Sequence, residues 1–347
     1  MALTIGHGEA AATSPGTSRA GGAILLYHRI SEDRPDPQAL CVSPARFREH
    51  LDVLRCHFEP ARLLDLMDPE RNRRPKRQAV AVTFDDGYAD NLYEAAPLLS
   101  AFDVPATVFV VSGNIQTGEP FWWDELGRLL LETPKLPPTI CADLNGRRQE
   151  WRLEPDAEGN HVPIAALRDW TVLHAEVPTE RHRVYAELCN ALRPLNQETR
   201  GRFLDRLRAN ASDPPPHPPH RRPLTPEELR QLAKMPGIDL GAHTVTHPVL
   251  ACLDPADQSL ELQSSRRALE AMIGRNIHTL SYPFGTRGDY TPHTVGMAQK
   301  AGYVCACANF PGLIGPQTDQ FQLPRILIRD VDGHSLLRRL AEVGVGV

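Results

Sequence analysis

Two aspartates, Asp85 and Asp86, close the apolar run Ala79-Val80-Ala81-Val82-Thr83-Phe84, and two histidines, His243 and His247, stand four apart far downstream. Adjacent carboxylates repel unless a cation or a shared proton separates them, so a purely structural role suits them badly. One Asp with two His makes a borderline N,N,O set for a divalent metal and leaves the second Asp free to handle protons. A three-ligand site keeps a position open for water, and an ion bound there lowers that water's pKa toward ~7. The spacing of His243 and His247 is one helical turn, at which a pair can chelate one ion, although two histidines so spaced also arise by chance. Zinc is the first choice of metal, and the same donors accept cobalt, nickel, iron or manganese.

The elements around these residues bring them together. The β-branched, unbroken run 79–84 has the look of a buried strand, and both carboxylates emerge where it stops. Ala23–Tyr27 reads as a strand ending at His28, and Ile238–Ala242 as one ending at His243. Further strands are expected at Ala106–Val111, Thr279–Pro283, Tyr303–Ala308 and Ile326–Ile328. Between them lie helix starts: Ser43-Pro44, Thr225-Pro226 with Glu228 completing a capping box, Asp254-Pro255 and Thr291-Pro292. Another helix is expected from about Tyr88 to Phe102. Six or seven βα units around one core suggest a barrel or a doubly wound sheet. In a parallel barrel His28, Asp85, Asp86, His243 and Tyr282-Pro283-Phe284-Gly285 would all meet at one rim.

The alternation fails between residues 115 and 223. That stretch holds Phe121-Trp122-Trp123-Asp124-Glu125-Leu126 and amphipathic segments at 181–192 and 199–209, and it closes on Asp213-Pro214-Pro215-Pro216-His217-Pro218-Pro219. Such a proline run is neither helix nor inner strand. The expected organisation is a disordered tail over 1–22, barrel over 23–114, a largely helical insertion or lid over 115–223, and barrel again over 224–347.

Composition narrows the class. With 347 residues, 41% hydrophobic and 23% charged, and a net charge of −5, the chain is an ordinary globular protein with no global attraction for nucleic acid or anionic membrane. The basic runs Arg71–Arg77 and His217–Arg222 are broken by prolines and read as solvated loops. Seven cysteines, an odd number, give no disulfide framework, which fits a reducing, cytoplasmic setting. Cys305 and Cys307 read as small buried hydrophobes. The sequence leads us to expect neither a signal peptide nor a membrane-spanning segment.

Thr83-Phe84-Asp85-Asp86-Gly87 and His243-Thr244-Val245-Thr246-His247 resemble the first two signature motifs of the polysaccharide deacetylases, the NodB-homology group or carbohydrate esterase family four, and Tyr282-Pro283-Phe284-Gly285 is similar to the core of the third. The resemblance covers about residues 23–112 and 224–330. It implies a distorted (β/α) barrel of about seven strands that removes N-acetyl, or less often O-acetyl, groups from sugars with a divalent metal. Asp85 then resembles the general base, and Asp86, His243 and His247 the metal ligands. The Tyr282 backbone N–H would help hold the oxyanion, and Tyr282 and Phe284 would contact substrate.

Two departures stand out. The family's third motif carries an arginine two residues before its proline, bracing the base, where this chain has Ser281; Arg325, in Leu323-Pro324-Arg325-Ile326, is the proposed substitute. The Leu-x-His motif, whose histidine serves as general acid, is absent from the C-terminal region and occurs instead as Leu26-Tyr27-His28. First and last strands of a closed barrel are neighbours, so a permuted motif order keeps the site intact, as some exopolysaccharide deacetylases resemble. His28 is thus the expected acid, with His334 its rival. Trp122, Trp123 and Asp124 could form a sugar platform, or the tryptophans could simply pack the insertion.

The expected activity is metal-dependent release of acetate from an N-acetylated sugar. Two alternatives remain: a deformylase or other non-peptide amide hydrolase built on the same site, and a non-catalytic sugar-binding module. Oligomeric state is not legible in the sequence.

Overall fold

The computed structural model describes residues 22–68, 77–144, 146–153 and 164–346. The expected tail over 1–22 and the basic run at 71–76 lie outside those residues, apart from Gly22. The chain divides into two compact units, one formed by Asp33–Leu40 with Glu119–Arg222 and the other by the remainder.

The larger unit is a curved sheet of seven parallel strands: β1 Ala23–Tyr27, β2 Ala79–Phe84, β3 Ala106–Val110, β4 Ile238–Ala242, β5 Thr279–Ser281, β6 Cys305–Cys307 and β7 Ile326–Leu327. Their order is β6-β5-β4-β3-β2-β1-β7, so the last strand pairs with the first. A further two-residue strand, Glu59–Pro60, pairs with the start of β2. The two edges approach through a parallel bridge between Cys307 and Leu323, just ahead of β7. This is the distorted (β/α) barrel that the motifs implied.

Strand alternation sorts the side chains into two layers. Ile24, Ala81, Phe109, Cys305, Cys307 and Leu323 form one buried cluster. Ala23, Leu25, Val80, Val82 and Val108, one residue out of step, pack with the covering helices. Each such side chain contributes about 1.5–3 kcal/mol through burial. The helices begin where the caps said they would. Ser43 accepts from the Arg46 N–H ahead of Pro44–His57, and Thr225 with Glu228 forms a full capping box before Pro226–Lys234. Asp254 caps Pro255–Ile273, which Gly274 ends at a left-handed φ of 70°. The helix expected over 88–102 is instead a π-helical turn, Asn91–Ala95, running into α-helix at Ala96–Ala101.

The smaller unit has its own core, in which Leu126, Leu129, Trp151, Tyr185, Leu188 and Phe203 are buried together. Its helices include Trp122–Gly127, Glu180–Leu192 and Gln197–Asn210. An antiparallel hairpin, Thr139–Leu144 with Arg147–Arg152, was not expected. Its signal was present in Asn145-Gly146, the dipeptide that suits a two-residue hairpin turn, and Gly146 sits at φ 74°. The run His217–Arg222 is not the solvated loop expected. Arg221 is 4% exposed and pairs with Glu132, and His217 pairs with Glu125. All seven cysteines are free, with Cys305 and Cys307 fully buried. Among the described residues no helix is long and apolar enough to cross a membrane.

Candidate active site

Register carries the site residues to one rim. Tyr27 pairs with Phe84, so His28 and Asp85 leave adjacent strands together, and the Asp85 N–H donates to Tyr27 O at 3.0 Å. Val110 pairs with Ala242 and Ala242 with Leu280, which sets His243 beside Ser281.

The backbone at these strand ends is strained. Asp86 has φ 74°, and the Gly87 N–H reaches back to Asp85 O at 3.0 Å, closing a three-residue turn. A second such turn centres on Phe284, φ 60°, with the Gly285 N–H donating to Pro283 O at 2.6 Å. Thr244 and His247 are also left-handed, at φ 65° and 53°. Non-glycine residues held this way cost of order 1–3 kcal/mol each and cluster where function demands them. His243 and His247 therefore do not lie on a helix. They flank a loop leaving β4, and that loop, rather than helical pitch, brings their rings to 4.8 Å between centroids.

Asp86, His243 and His247 each offer one donor atom, all within 4.8 Å of one another and all buried. The two Nε2 atoms lie 3.6 and 3.5 Å from Asp86 Oδ1. At its other nitrogen, Nδ1, His243 meets Ser281 O at 2.8 Å, which fixes the ring and turns the Nε2 lone pair toward the cluster. Burial lowers the His243 pKa, further favouring the neutral ring that a metal requires. Two imidazoles and a carboxylate, oriented and dry, fit a divalent cation.

Arg325 reaches Asp85 from the start of β7. Its Nη1 and Nη2 donate to the two carboxylate oxygens at 2.7 Å each, Nη2 also to Ser281 Oγ at 2.8 Å, and Nε to Ala308 O at 2.8 Å. Ser281 Oγ in turn donates to Asp85 Oδ2 at 3.1 Å. Arg325 is 1% exposed. Burial alone would raise the Asp85 carboxyl, but the guanidinium and the nearby His243 outweigh it and hold the group well below the ordinary carboxylate range. Ser281, at the position where the resembled motif has its arginine, thus bridges the arginine from β7 and the carboxylate.

His28 is packed deeply with an edge toward solvent. Burial pushes its ring down to about 3, opposed by the charge of Asp85 and assisted by Arg329 and Arg325. Burial therefore favours the neutral ring. His334 is exposed in the first turn of the helix Gly333–Glu342, whose Gly333 N–H bonds Glu49.

The Tyr282 amide, expected to face the oxyanion, is committed within the sheet. The N–H continues the β5–β6 ladder and donates to Cys307 O at 3.0 Å, because the register places Ser281 opposite Cys307. Its ring stacks on Tyr290, with centroids 4.3 Å apart. Phe284 lies against His247, ring centroids 4.7 Å apart. Trp122, Trp123 and Asp124 belong to the smaller unit. Trp123 is 6% exposed and stacks on Phe121, while the Arg200 guanidinium covers the Trp122 ring at 5.5 Å.

With fold and geometry in place, comparison with known proteins is direct. The family model described as polysaccharide deacetylase matches residues 72–133 and 182–306, more than half of the chain, and the chain belongs to that family. It is 28% identical over 309 residues, 88% of this chain and 70% of the other, to the Bacillus subtilis (strain 168) protein YxkH, provisionally named a polysaccharide deacetylase. A shorter match, 27% identical over 99 residues, covers 28% of this chain and 15% of the Escherichia coli (strain K12) poly-β-1,6-N-acetyl-D-glucosamine N-deacetylase. The fold is similar to that of the Streptococcus pyogenes deacetylase PplD, with a TM-score of 0.55 at 18% identity over 92% of this chain and 97% of that one.

Proposed function

We propose that this protein is a divalent-metal-dependent deacetylase that frees the amine of an N-acetylated aminosugar, with Asp85 as general base. One observation carries the reading. A buried carboxylate, gripped on both oxygens by Arg325, stands beside an Asp86–His243–His247 donor set that fits a cation.

An amide resists hydrolysis because its carbonyl is a weak electrophile and its nitrogen a poor leaving group. A cation held by Asp86, His243 and His247, with zinc the first choice, supplies Lewis acidity toward the carbonyl and the attacking water. Asp85 takes the proton from that water as it attacks. Arg325 keeps this base ionised and fixes both of its oxygens. As the carbonyl oxygen gains charge it needs a fixed donor. With the Tyr282 N–H committed and Pro283 lacking one, we assign this part to the Phe284 amide, whose ring abuts His247. His28 delivers a proton to the departing nitrogen. The charge of Asp85 favours the protonated ring against the effect of burial. Phe284 also offers an apolar edge to the acetyl group or sugar ring.

The N-acetylglucosamine unit named for the Escherichia coli relative is the first substrate to test. Seven free thiols support a cytoplasmic location. The deciding experiment measures acetate and formate released from N-acetylated mono-, oligo- and nucleotide-sugars, with and without chelator. Acetate release that stops on chelation and returns with Zn²⁺ is expected. Formate release alone would move the assignment to a deformylase. Release of neither acid by metal-loaded protein would favour a sugar-binding module.

A further inference from the structure

The loop from His243 to His247 cannot hold its shape unaided. Two of its five residues, Thr244 and His247, are left-handed, and one of them is β-branched. Much of what holds it comes from one face of the helix Pro255–Ile273. Glu261 Oε2 accepts the Val245 N–H at 2.7 Å and the Thr246 N–H at 3.0 Å, and Oε1 accepts the Thr246 hydroxyl at 2.6 Å. One turn on, Ser265 Oγ donates to Thr244 O at 2.9 Å. From the opposite side the Ser112 and Gly113 N–H groups donate to Thr244 O and Val245 O at 3.1 and 3.0 Å. A side chain at Gly113 would bring a Cβ to 2.5 Å from Val245 O, so that contact admits only glycine. His247 closes the loop by donating its own N–H to Thr244 Oγ1 at 3.2 Å.

We propose that Glu261 is a positioning residue for the metal centre: its carboxylate, by capturing two successive amides between the two histidines, sets His247 at chelating distance from His243 and Asp86. The inference rests on the reading of Asp86, His243 and His247 as metal ligands. A carboxylate suits the task because both oxygens only accept, so it can serve three donors at once through charge-assisted bonds. Gln keeps the shape but turns one acceptor into an NH₂ that opposes those donors. Outer partners of this kind typically change metal affinity by about 10–100-fold when removed.

The test is Zn²⁺ and Co²⁺ affinity of the full chain, by competition with a chromophoric chelator, together with the visible spectrum of the Co²⁺ form. Glu261→Gln should bind both ions tens-fold more weakly and shift the Co²⁺ bands, while Ser265→Ala should show a smaller loss of the same kind. Wild-type affinity and spectrum in Glu261→Gln would overturn the proposal. Should that variant fail to fold, Thr246→Val decides, since it removes one of the three bonds and no charge: several-fold weaker binding supports the proposal and unchanged binding overturns it. His247→Ala separates the two levels. Loss of binding there with none in Glu261→Gln sinks only the role of Glu261; a wild-type protein that binds neither ion sinks the metal centre and the role together.

Discussion

In each unit a buried carboxylate is set against arginine, Glu125 in the smaller and Asp85 in the larger, and these two are built for different ends. In the smaller unit Glu125 is saturated. Arg128 Nε and Nη2 donate to it at 2.8 and 2.7 Å, Arg208 Nε at 2.9 Å, and His217 Nε2 lies 2.9 Å from it. In the barrel Asp85 has one guanidinium and one hydroxyl, with His243 Nε2 3.8 Å away and the Asp86 cluster beside it. Both groups are held ionised, against the effect of burial, by their partners. A buried, depressed carboxylate is therefore not in itself a site. Two guanidinium groups and an imidazole, with no metal-type donor set beside them among the described residues, make a staple. One cation beside an N,N,O cluster is the setting that the proposed base requires.

The comparison breaks most readily at Asp85. Asp85→Asn should lower kcat by about 10³-fold with divalent-metal affinity retained, and near-normal turnover in that variant would place both carboxylates in the same structural class. Arg325→Met leaves a buried charge unpaired and should lose both about 10²-fold in kcat and about 3–5 kcal/mol in urea-unfolding free energy. Glu125→Gln sharpens the contrast, since it should cost about 3 kcal/mol of stability with kcat unchanged. The smallest effect is in pH. Because the folded Glu125 pKa lies below its unfolded value of about 4.3, its stabilisation is complete above that value and fades as pH falls through and below it. The stability gap between wild type and Glu125→Gln should be constant from about pH 5 to 7 and narrow below about pH 4; a gap that stays constant in acid would show that the network gives Glu125 no net preference for its charge.

Local chemistry made much of this legible. Caps at Ser43, Thr225, Asp254 and Thr291 start helices where their side chains predict, because a cap is a contact spanning three residues. Strand ends placed His28, Asp85, Asp86 and His243 on one rim, and the position of Arg325 before β7 put it in reach of the base. What was not legible depends on pairing between distant strands. The Tyr282 amide looked available until the register of β5 with β6 committed it to Cys307. The spacing of His243 and His247 suggested a helix, whereas a strained loop held from a neighbouring helix brings them together. Nothing local to Glu261 marks it, since it matters only for the loop it meets. The hairpin at 139–152 is different, for Asn145-Gly146 signalled it and the reading of the insertion as helical passed over it.

The pairing of β7 with β1 bears on how the protein is made. Arg325 follows Asp85 by 240 residues, so during synthesis the base is translated long before the cation that neutralises it. Until β7 docks, Asp85 must stay hydrated or take up a proton, and the rim around it cannot dry. A chain cut short before Arg325 would therefore lack the one guanidinium that offsets the burial of Asp85, and closure of the rim over that carboxylate is tied to the arrival of β7.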